Sequence, residues 1–347
     1  MAGGSCAHRQ REPVASSQPG VALPDMAAPT ITIRVATDDD RDAIVALCRA
    51  SLGWSADDPN EAFFTWKHDE NWFGRSPSWV AESDGRLVGL RVFLRWQFRD
   101  RDGSVVSAVR AVDTATHPDA QGQGIFRRLT LGALPDLREM GVDFVFNTPN
   151  TKSRPGYLKM GWGDVGSAPV AVRVAGPRHA PAVLGARAAA EKWSRPTEVG
   201  VAAADAFADT ELADRALARS RPAGITTDRS AGYLRWRYSF GPLHYRVVPA
   251  GPDGLVVFRL RRRGAALEAT ISETLGADGA AVRRAVGDIL RSTGADYAIT
   301  GGHRRLGLDG FAPAPRLGPA LTWKPLVRPG VPALADLDLA LGDLELF

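Results

Sequence analysis

Residues 112–126 read Val-Asp-Thr-Ala-Thr-His-Pro-Asp-Ala-Gln-Gly-Gln-Gly-Ile-Phe, and this segment decides the fold. A polar-alternating strand runs into a proline, and an apolar helix begins after Gly124. Such a loop turns several backbone N–H groups toward one point at a helix N-terminus, where unpaired donors and the helix dipole favour an anion. Gly122 and Gly124 allow close backbone approach because glycine has no Cβ. The segment predicts a phosphate-binding loop, with an ordinary glycine-rich turn as the alternative.

The composition allows two domains of ordinary size and gives no reason to expect a nucleic-acid partner. The chain has 347 residues, of which 44% are hydrophobic, enough for a buried core. The net charge is +4 with a pI of about 9.3, and the arginines are spread along the chain without forming a stripe. A modest positive charge also suits an anionic cofactor, so charge alone identifies no partner.

The cysteines and the hydrophobic runs favour a cytoplasmic protein. Cys6 and Cys48 are far apart, which argues against a disulfide scaffold and against a cysteine-based metal site. No apolar run approaches membrane-spanning length, so no membrane partner is expected. Residues 1–29 are rich in Ala, Gly, Ser, Pro and Arg without periodicity, and we expect a disordered leader there, with Met26 as an alternative start.

Residues 31–147 predict the order strand, two helices, three strands, helix, strand. The elements are a strand at 31–35, a helix capped by Thr37, an aromatic-rich stretch at 54–75, a hairpin turning at Asp84-Gly85, a strand at 105–115, a helix after Gly124 and a strand at 142–147. Pro135 lies inside the helix after Gly124 and predicts a kink or a late-starting second turn there.

Two motifs in this order resemble those of the GNAT family of acyl-CoA N-acyltransferases. The run from Gln121 to Phe126 resembles the family's pyrophosphate loop, Gln/Arg-x-x-Gly-x-Gly/Ala, with Phe126 departing from the small last residue. The run from Pro155 to Trp162 resembles the family's Tyr-x-x-x-Gly-Phe segment, and Asn150 stands seven residues before Tyr157, as an Asn commonly does in the family. The resemblance covers residues 31 to about 170.

The aromatic-rich stretch resembles one particular subgroup of the family. The run Trp66-Lys-His-Asp-Glu-Asn-Trp-Phe-Gly-Arg-Ser76 is similar to a segment of a bacterial GNAT subgroup, some members of which lie in gene clusters for polysaccharide or natural-product assembly. Trp72 replaces the usual proline. The presence of a bulky residue after the loop glycine also resembles the enhanced-intracellular-survival type of aminoglycoside acetyltransferase, although the sequence shows no third domain.

The second half weakly repeats the first. Four landmarks recur in order: Trp236 after Trp66, Asp253-Gly254 after Asp84-Gly85, Gly294 after Gly141 and Gly310-Phe311 after Gly161-Trp162. We therefore predict a mixed α/β fold (α+β sheet) of tandem GNAT domains, the second degenerate. Residues 30–175 form the acyl-CoA-binding domain, 176–195 a linking helix and 196–347 a domain in which Asp278 occupies the loop position and acyl-CoA is absent.

The resemblance implies a set of cofactor-binding residues for acetyl-CoA or another acyl-CoA. The loop N–H groups would hold the pyrophosphate, Arg127 and Arg128 could reach phosphates, the two asparagines would bond the pantetheine arm, and a strand N–H near Ala115 would polarise the carbonyl. The cofactor residues are Thr114, Ala115, Thr116, Gln121, Gly122, Gln123, Gly124, Ile125, Phe126, Arg127, Asn147, Asn150 and Tyr157.

Tyr157 is the predicted proton donor, because phenols with a pKa of about 10 stay protonated at neutral pH and can donate to a thiolate. Asp113 and His68 are candidate bases, and proton loss to water is the alternative. His117 is expected to cap the turn before the loop. Trp72, Trp162 and Glu70 are the predicted walls of the acceptor site, whereas Phe63 and Trp66 are expected in the core.

The sequence therefore predicts a cytoplasmic N-acyltransferase that moves an acyl group from acyl-CoA to a primary amine in a ternary complex. A small or medium amine, such as an amino sugar or a natural-product intermediate, is the expected acceptor by analogy. A non-catalytic acyl-CoA sensor and an aminoacyl-tRNA-dependent tandem transferase are the alternatives, and the intact loop argues against the second.

Overall fold

Two mixed β-sheets with helices between and outside them make up the fold. The computed structural model describes residues 30–345 except 56, 187, 303–309 and 316, so the predicted leader lies outside the described residues. The strands are β1 Thr32–Val35, β2 Ser78–Ser83, β3 Arg86–Arg99, β4 Val105–Thr116, β5 Phe144–Asn147, β6 Gly163–Ser167, β7 Val170–Val174, β8 Val201–Ala202, β9 Thr226–Thr227, β10 Arg246–Pro249, β11 Leu255–Arg263, β12 Ala266–Leu275, β13 Tyr297–Gly301, β14 Ala312–Pro313 and β15 Ala320–Pro325.

The helices of residues 31–147 follow the order predicted for that segment. The helices of the whole fold are α1 Arg41–Leu52, α2 Asn60–His68, α3 Ile125–Gly132, α4 Leu134–Glu139, α5 Arg154–Lys159, α6 Ala180–Gly185, α7 Ala203–Ala206, α8 Thr210–Arg219, α9 Ala231–Tyr238, α10 Gly279–Thr293 and α11 Leu341–Leu344. The helix interruption predicted at Pro135 is confirmed, because α3 ends at Gly132 and α4 starts anew with Pro135 in its first turn. None of the described helices is long and apolar enough to cross a bilayer.

The two sheets have the same strand order and exchange one strand each. The first runs β1-β2-β3-β4-β5-β15-β6, with β9 paired to the end of β3, and the second runs β8-β10-β11-β12-β13-β7-β14. β15 from the second half therefore lies between β5 and β6, while β7 from the first half lies between β13 and β14. The predicted domain boundary at residue 175 therefore does not separate the sheets. The sequence could not predict this exchange, because periodicity does not show which sheet a strand joins.

A matching β-bulge supports the internal duplication. In the first sheet the register between β3 and β4 shifts so that Asp113 is the extra residue, and in the second the shift between β11 and β12 makes Ser272 the extra residue. Each bulge lies just before the end of the strand that leads into the next helix. Since a bulge needs its own local backbone conformation, its recurrence at equivalent places indicates two copies of one fold.

The predicted linking helix over 176–195 is largely wrong. Only Ala180–Gly185 is α-helical, after a 3₁₀ turn at Pro177–His179. The following segment is extended, because the N–H groups of Glu191 and Arg195 donate to the carbonyls of Arg262 and Leu260 in β11, at 2.8 Å each. The alanine content of the segment favours a helix, but pairing with the sheet edge overrides that preference.

The two halves meet through a reciprocal tryptophan pair. The rings of Trp66 in α2 and Trp236 in α9 stack with centroids 5.4 Å apart and planes 24° apart. Each indole N–H donates to the backbone carbonyl of the other tryptophan at 3.0 Å. Both residues are buried, and with Phe63 they belong to one continuous core between the sheets. The expectation that Phe63 and Trp66 serve core packing is confirmed.

Strand exchange predicts that residues 30–175 do not form a stable domain alone. That fragment lacks β15, so β5 loses a neighbour, and the hydrophobic core shared with the second half becomes exposed. We expect it to show no cooperative thermal unfolding by circular dichroism, whereas residues 30–347 unfold cooperatively. A soluble 30–175 fragment with a sharp transition would show that the exchanged strand is dispensable.

Candidate functional site

A gap opens in the first sheet where β4 and β5 separate. The two parallel strands pair only from Ala108 to Arg110 on β4 and from Phe144 to Phe146 on β5. β4 nevertheless continues beside β3 as far as Thr116. Beyond Arg110, the edge of β4 that would face β5 therefore has unpaired backbone groups, which a ligand can bond.

The direction of the backbone groups in the gap follows from strand alternation. The His117 N–H donates to the Val88 carbonyl at 2.9 Å, on the β3 side. Because antiparallel partners alternate between the two edges, the N–H of Ala115 also points to β3, and those of Thr114 and Thr116 point into the gap. The predicted strand N–H near Ala115 that can face a ligand is therefore that of Thr114 or Thr116, and not that of Ala115 itself.

The predicted anion loop has the geometry that its glycines suggest. Gly122 and Gly124 adopt φ of 79° and 71°, in the left-handed region that favours glycine. Gly124 is the N-cap of α3, whose first turn carries no acidic side chain. Gln121 and Gln123 are exposed beside them. The first N–H groups of α3, from Ile125 onward, are therefore available to an anion.

The basic side chains after the loop differ in role. Arg127 is exposed in the first turn of α3, which leaves it able to reach a phosphate. The Arg128 guanidinium donates through Nη2 to the Ile31 carbonyl at 2.7 Å and holds the start of β1 against the helix, so Arg127 is the freer of the two to reach a phosphate. His117 caps the turn, as expected, with its Nδ1 accepting from the Asp119 N–H at 3.3 Å.

The equivalent site in the second half is closed. The Asp278 carboxylate caps α10 and accepts from the Ala281 N–H at 2.7 Å, so it already occupies the helix N-terminus. The groove between β12 and β13 beyond Ile271 holds the segment around α11. A Cβ on Gly301 would lie only 2.6 Å from the Leu341 nitrogen, which shows how closely this segment packs.

Tyr157 lies next to the gap and bonds a buried arginine. The phenol oxygen accepts from Arg91 Nη2 at 2.6 Å, and the same guanidinium donates to the Thr114 hydroxyl. Arg91 is 1% exposed and Tyr157 is 4% exposed. Phe126 packs edge-to-face on the phenol ring, with centroids 5.5 Å apart. Tyr157 is thus linked through Arg91 to the strand edge that faces the gap.

Asp113 and His68 form one network with Lys67. Asp113 has φ of 39° at the bulge, and its Oδ2 lies 2.5 Å from Lys67 Nζ and 2.6 Å from His68 Nε2. Burial raises the pKa of Asp113, but Lys67 and His68 outweigh burial and hold that pKa well below its usual range. Burial lowers the pKa of His68 to about 4 despite the hydrogen bond to Asp113, so the imidazole is neutral at pH 7.

Neither predicted base is well suited to take a proton. The Asp113 carboxylate is held in its ionised form by an ammonium group, which makes it a weak acceptor of protons. Both His68 nitrogens are engaged, Nδ1 with Ser76 at 3.0 Å and Nε2 with Asp113. The structure therefore favours the sequence-based alternative, in which water receives the amine proton.

The two predicted pantetheine asparagines make other contacts. Asn147 is buried, and its Oδ1 accepts from the Thr322 hydroxyl of β15 at 2.6 Å. The Asn150 Oδ1 accepts from the N–H groups of Lys152 and Ser153 at 3.0 and 2.9 Å. Both oxygens accept from protein donors, so a bond from either residue to the pantetheine arm would come from its side-chain NH2 group.

The predicted acceptor walls do not meet at the gap. Trp162 is 3% exposed and packs on Tyr157 in the core, so it cannot stack on a ligand. Trp72 is 52% exposed, but its ring lies against Gly232 of α9. Glu70 is exposed after the end of α2. The extra bulk at Trp72 and Trp162 serves packing, which composition alone could not distinguish from ligand binding.

Sequence reasoning missed three charged residues near the gap. Arg91 holds Tyr157, Lys67 pairs with Asp113, and Lys192 reaches a small cavity beside Asp113 from the segment before β8. Lys67 stands directly before His68 in the quoted motif and could have been considered with it. Arg91 and Lys192 belong to no motif, and only the packing of the strands and the linker brings them to the site.

A family model for the acetyltransferase (GNAT) domain matches residues 32–165. Among solved structures, a probable N-acyltransferase from Enterococcus faecalis superposes with a TM-score of 0.62 at 14% identity, covering 86% of this chain and 72% of the other. A GCN5-related N-acetyltransferase from Kribbella flavida gives 0.59 at 18% identity, with coverages of 86% and 72%.

Eis1 from Mycobacterium abscessus is similar over 86% of this chain and 74% of its own, with a TM-score of 0.52 and 19% identity. The chain matches none of the curated proteins. At these identities the structural matches show the fold alone, and they confirm the mixed α/β architecture predicted from the sequence. The family match shows that residues 32–165 form a GNAT acetyltransferase domain.

Proposed function

We propose that the first half binds acyl-CoA, most simply acetyl-CoA, and transfers its acyl group to the primary amine of a small or medium acceptor. The observation that carries this proposal is the combination of an open strand gap, an uncapped glycine loop at the start of α3 and Tyr157 beside them. The loop N–H groups would hold the pyrophosphate, and the edge of β4 at Thr114 and Thr116 would hold the pantetheine arm.

The transfer needs one bond to form and one to break. The neutral amine attacks the thioester carbonyl, a C–N bond forms and the C–S bond breaks. Tyr157 donates its proton to the departing thiolate, the amine proton passes to water, and water returns a proton to the Tyr157 phenolate. The Arg91 guanidinium donates a hydrogen bond to the phenol oxygen and so orients Tyr157. The positive charge of Arg91 also stabilises the negative charge that develops on that oxygen when the proton leaves.

The loop gives the first test. Gly124→Asp should abolish acyl-CoA binding and leave the fold intact, because Asp tolerates positive φ better than most residues and its carboxylate would take the N–H groups of α3, as Asp278 does in α10. Calorimetry with acetyl-CoA measures the loss. Gly103→Asp is the matched control, at φ of 84° in an open turn far from the loop. Unchanged affinity in folded Gly124→Asp would refute the site.

The second half gives the next test. Because Asp278 caps α10 and the segment around α11 fills the adjacent groove, we expect calorimetric titration to saturate at one acetyl-CoA per chain. Asp278→Ala should leave this ratio unchanged, since the packed segment remains in place. A ratio of two in the unmodified protein would contradict the proposal.

Tyr157→Phe tests the proton donor. The turnover number should fall by roughly 10²–10⁴-fold, the range that general acid catalysis contributes, while acetyl-CoA affinity stays nearly constant because the ring remains. Thermal melting should show a loss of about 1–3 kcal/mol from the unpaired Arg91 donor. Tyr297→Phe is the control, since it removes a buried phenol bonded to Glu268 in the second sheet. Near-normal turnover in Tyr157→Phe would assign the proton to another donor.

A further inference from the structure

A cavity of about 180 Å³ adjoins the bulge in β4, on the side of α1 and α2. Its apolar walls include Trp54, Phe63 and Phe64, and its charged residues are Lys67, Asp113 and Lys192. A cavity of this volume has room for a ligand of amino-acid size. Asp113 directly precedes Thr114, whose backbone faces the gap, so a ligand in this cavity would lie next to the bound thioester.

The charges that line this cavity do not cancel. Lys67 is matched by Asp113 at 2.5 Å, and His68 behind Asp113 is neutral at pH 7. Lys192 contributes a second ammonium group, and among the described residues it forms no ion pair. Its Nζ donates to the Asn60 side-chain oxygen at 2.6 Å, and an amide is uncharged. The lining residues therefore carry one more positive than negative charge.

Aromatic rings surround the Lys192 ammonium group and exclude water from part of it. Nζ lies 4.4 Å from the centroid of Phe63, 4.5 Å from that of Trp193 and 5.8 Å from that of Trp54. These rings fix the position of the charge by cation–π attraction but do not neutralise it. A partly desolvated ammonium group in a small cavity binds an anion more strongly than an exposed one does.

We propose that the acceptor amine carries a carboxylate, which Lys192 binds while the amino group faces Asp113. This assignment rests on the proposed function, because it places the amine beside the thioester. The single excess charge matches a carboxylate, whereas a phosphate monoester brings about 1.5 to 2 negative charges at pH 7. Trp54, Phe63 and Phe64 would contact the carbon body between the two polar ends.

The affinity for a carboxylate should depend on pH. Burial and Lys67 lower the pKa of Lys192 to about 8, against the opposing influence of Asp113, Asp58 and Cys48. The ammonium form is the one that binds an anion, so affinity is present at pH 7 and falls as the pH rises above 8. A carboxylate without an amino group isolates this effect, because its own charge does not change in that range.

Matched acceptors test the proposal once calorimetry has shown that acetyl-CoA binds. Amino acids and their amides are compared as acceptors by thiol release, and the acids should have kcat/KM about 10- to 100-fold higher. Lys192→Met should remove this difference by slowing the acids alone, and Lys192→Arg should retain most of it. Lys159→Met, which removes an exposed lysine of α5, should leave kcat/KM unchanged for both the acids and the amides.

Several outcomes would overturn this assignment without affecting the cofactor site. They are equal use of acids and amides, a preference for acids that persists in Lys192→Met, and acetylation of Lys192 itself detected by mass spectrometry. If no amino acid is acylated, 3-phenylpropionate and its amide are titrated into the CoA-saturated protein at pH 7 and pH 9. Failure of the carboxylate to bind better than the amide at pH 7 overturns the proposal, whereas failure of acetyl-CoA to bind refutes the proposed function instead.

Discussion

The reciprocal pair of Trp66 and Trp236 fixes how the two halves meet. Each indole N–H bonds the other residue's carbonyl while the rings stack, so both contacts are lost together if either helix rotates. Buried aromatic pairs of this kind contribute packing and orientation at once. Trp193 of the linker packs on Phe63 and Phe240 beside this pair, and the neighbouring Lys192 lines the same cavity as Asp113.

Duplication produced two similar grooves with different chemistry. In the first half a glycine caps α3 and its N–H groups stay available, and in the second Asp278 caps α10 with its own carboxylate. A helix N-terminus binds either its own side chain or a ligand, but not both at the same donors. The cap residue and the packed segment around α11 thus distinguish the proposed cofactor domain from its copy, which instead supplies β15 and half of the shared core.

Local patterns predicted the elements well, because they depend on periodicity, prolines and glycines close in sequence. The loop at Gly122 and Gly124, the interruption near Pro135 and the repeat of Trp66 at Trp236 were all visible there. Strand exchange could not be seen, since β7 and β15 look alike in either sheet. The roles of Arg91 and Lys192 were hidden for the same reason: a charge becomes part of a site only when distant segments pack together.

Hydrogen–deuterium exchange of the whole chain tests directly whether the first half alone binds the cofactor. Adding acetyl-CoA should slow exchange at residues 114–128 and 154–159, where the loop, the start of α3 and Tyr157 lie. The equivalent residues 273–282 should show no change, because Asp278 already binds the start of α10. Slower exchange at residues 273–282, or unchanged exchange at residues 114–128, would contradict binding of the cofactor by the first half alone.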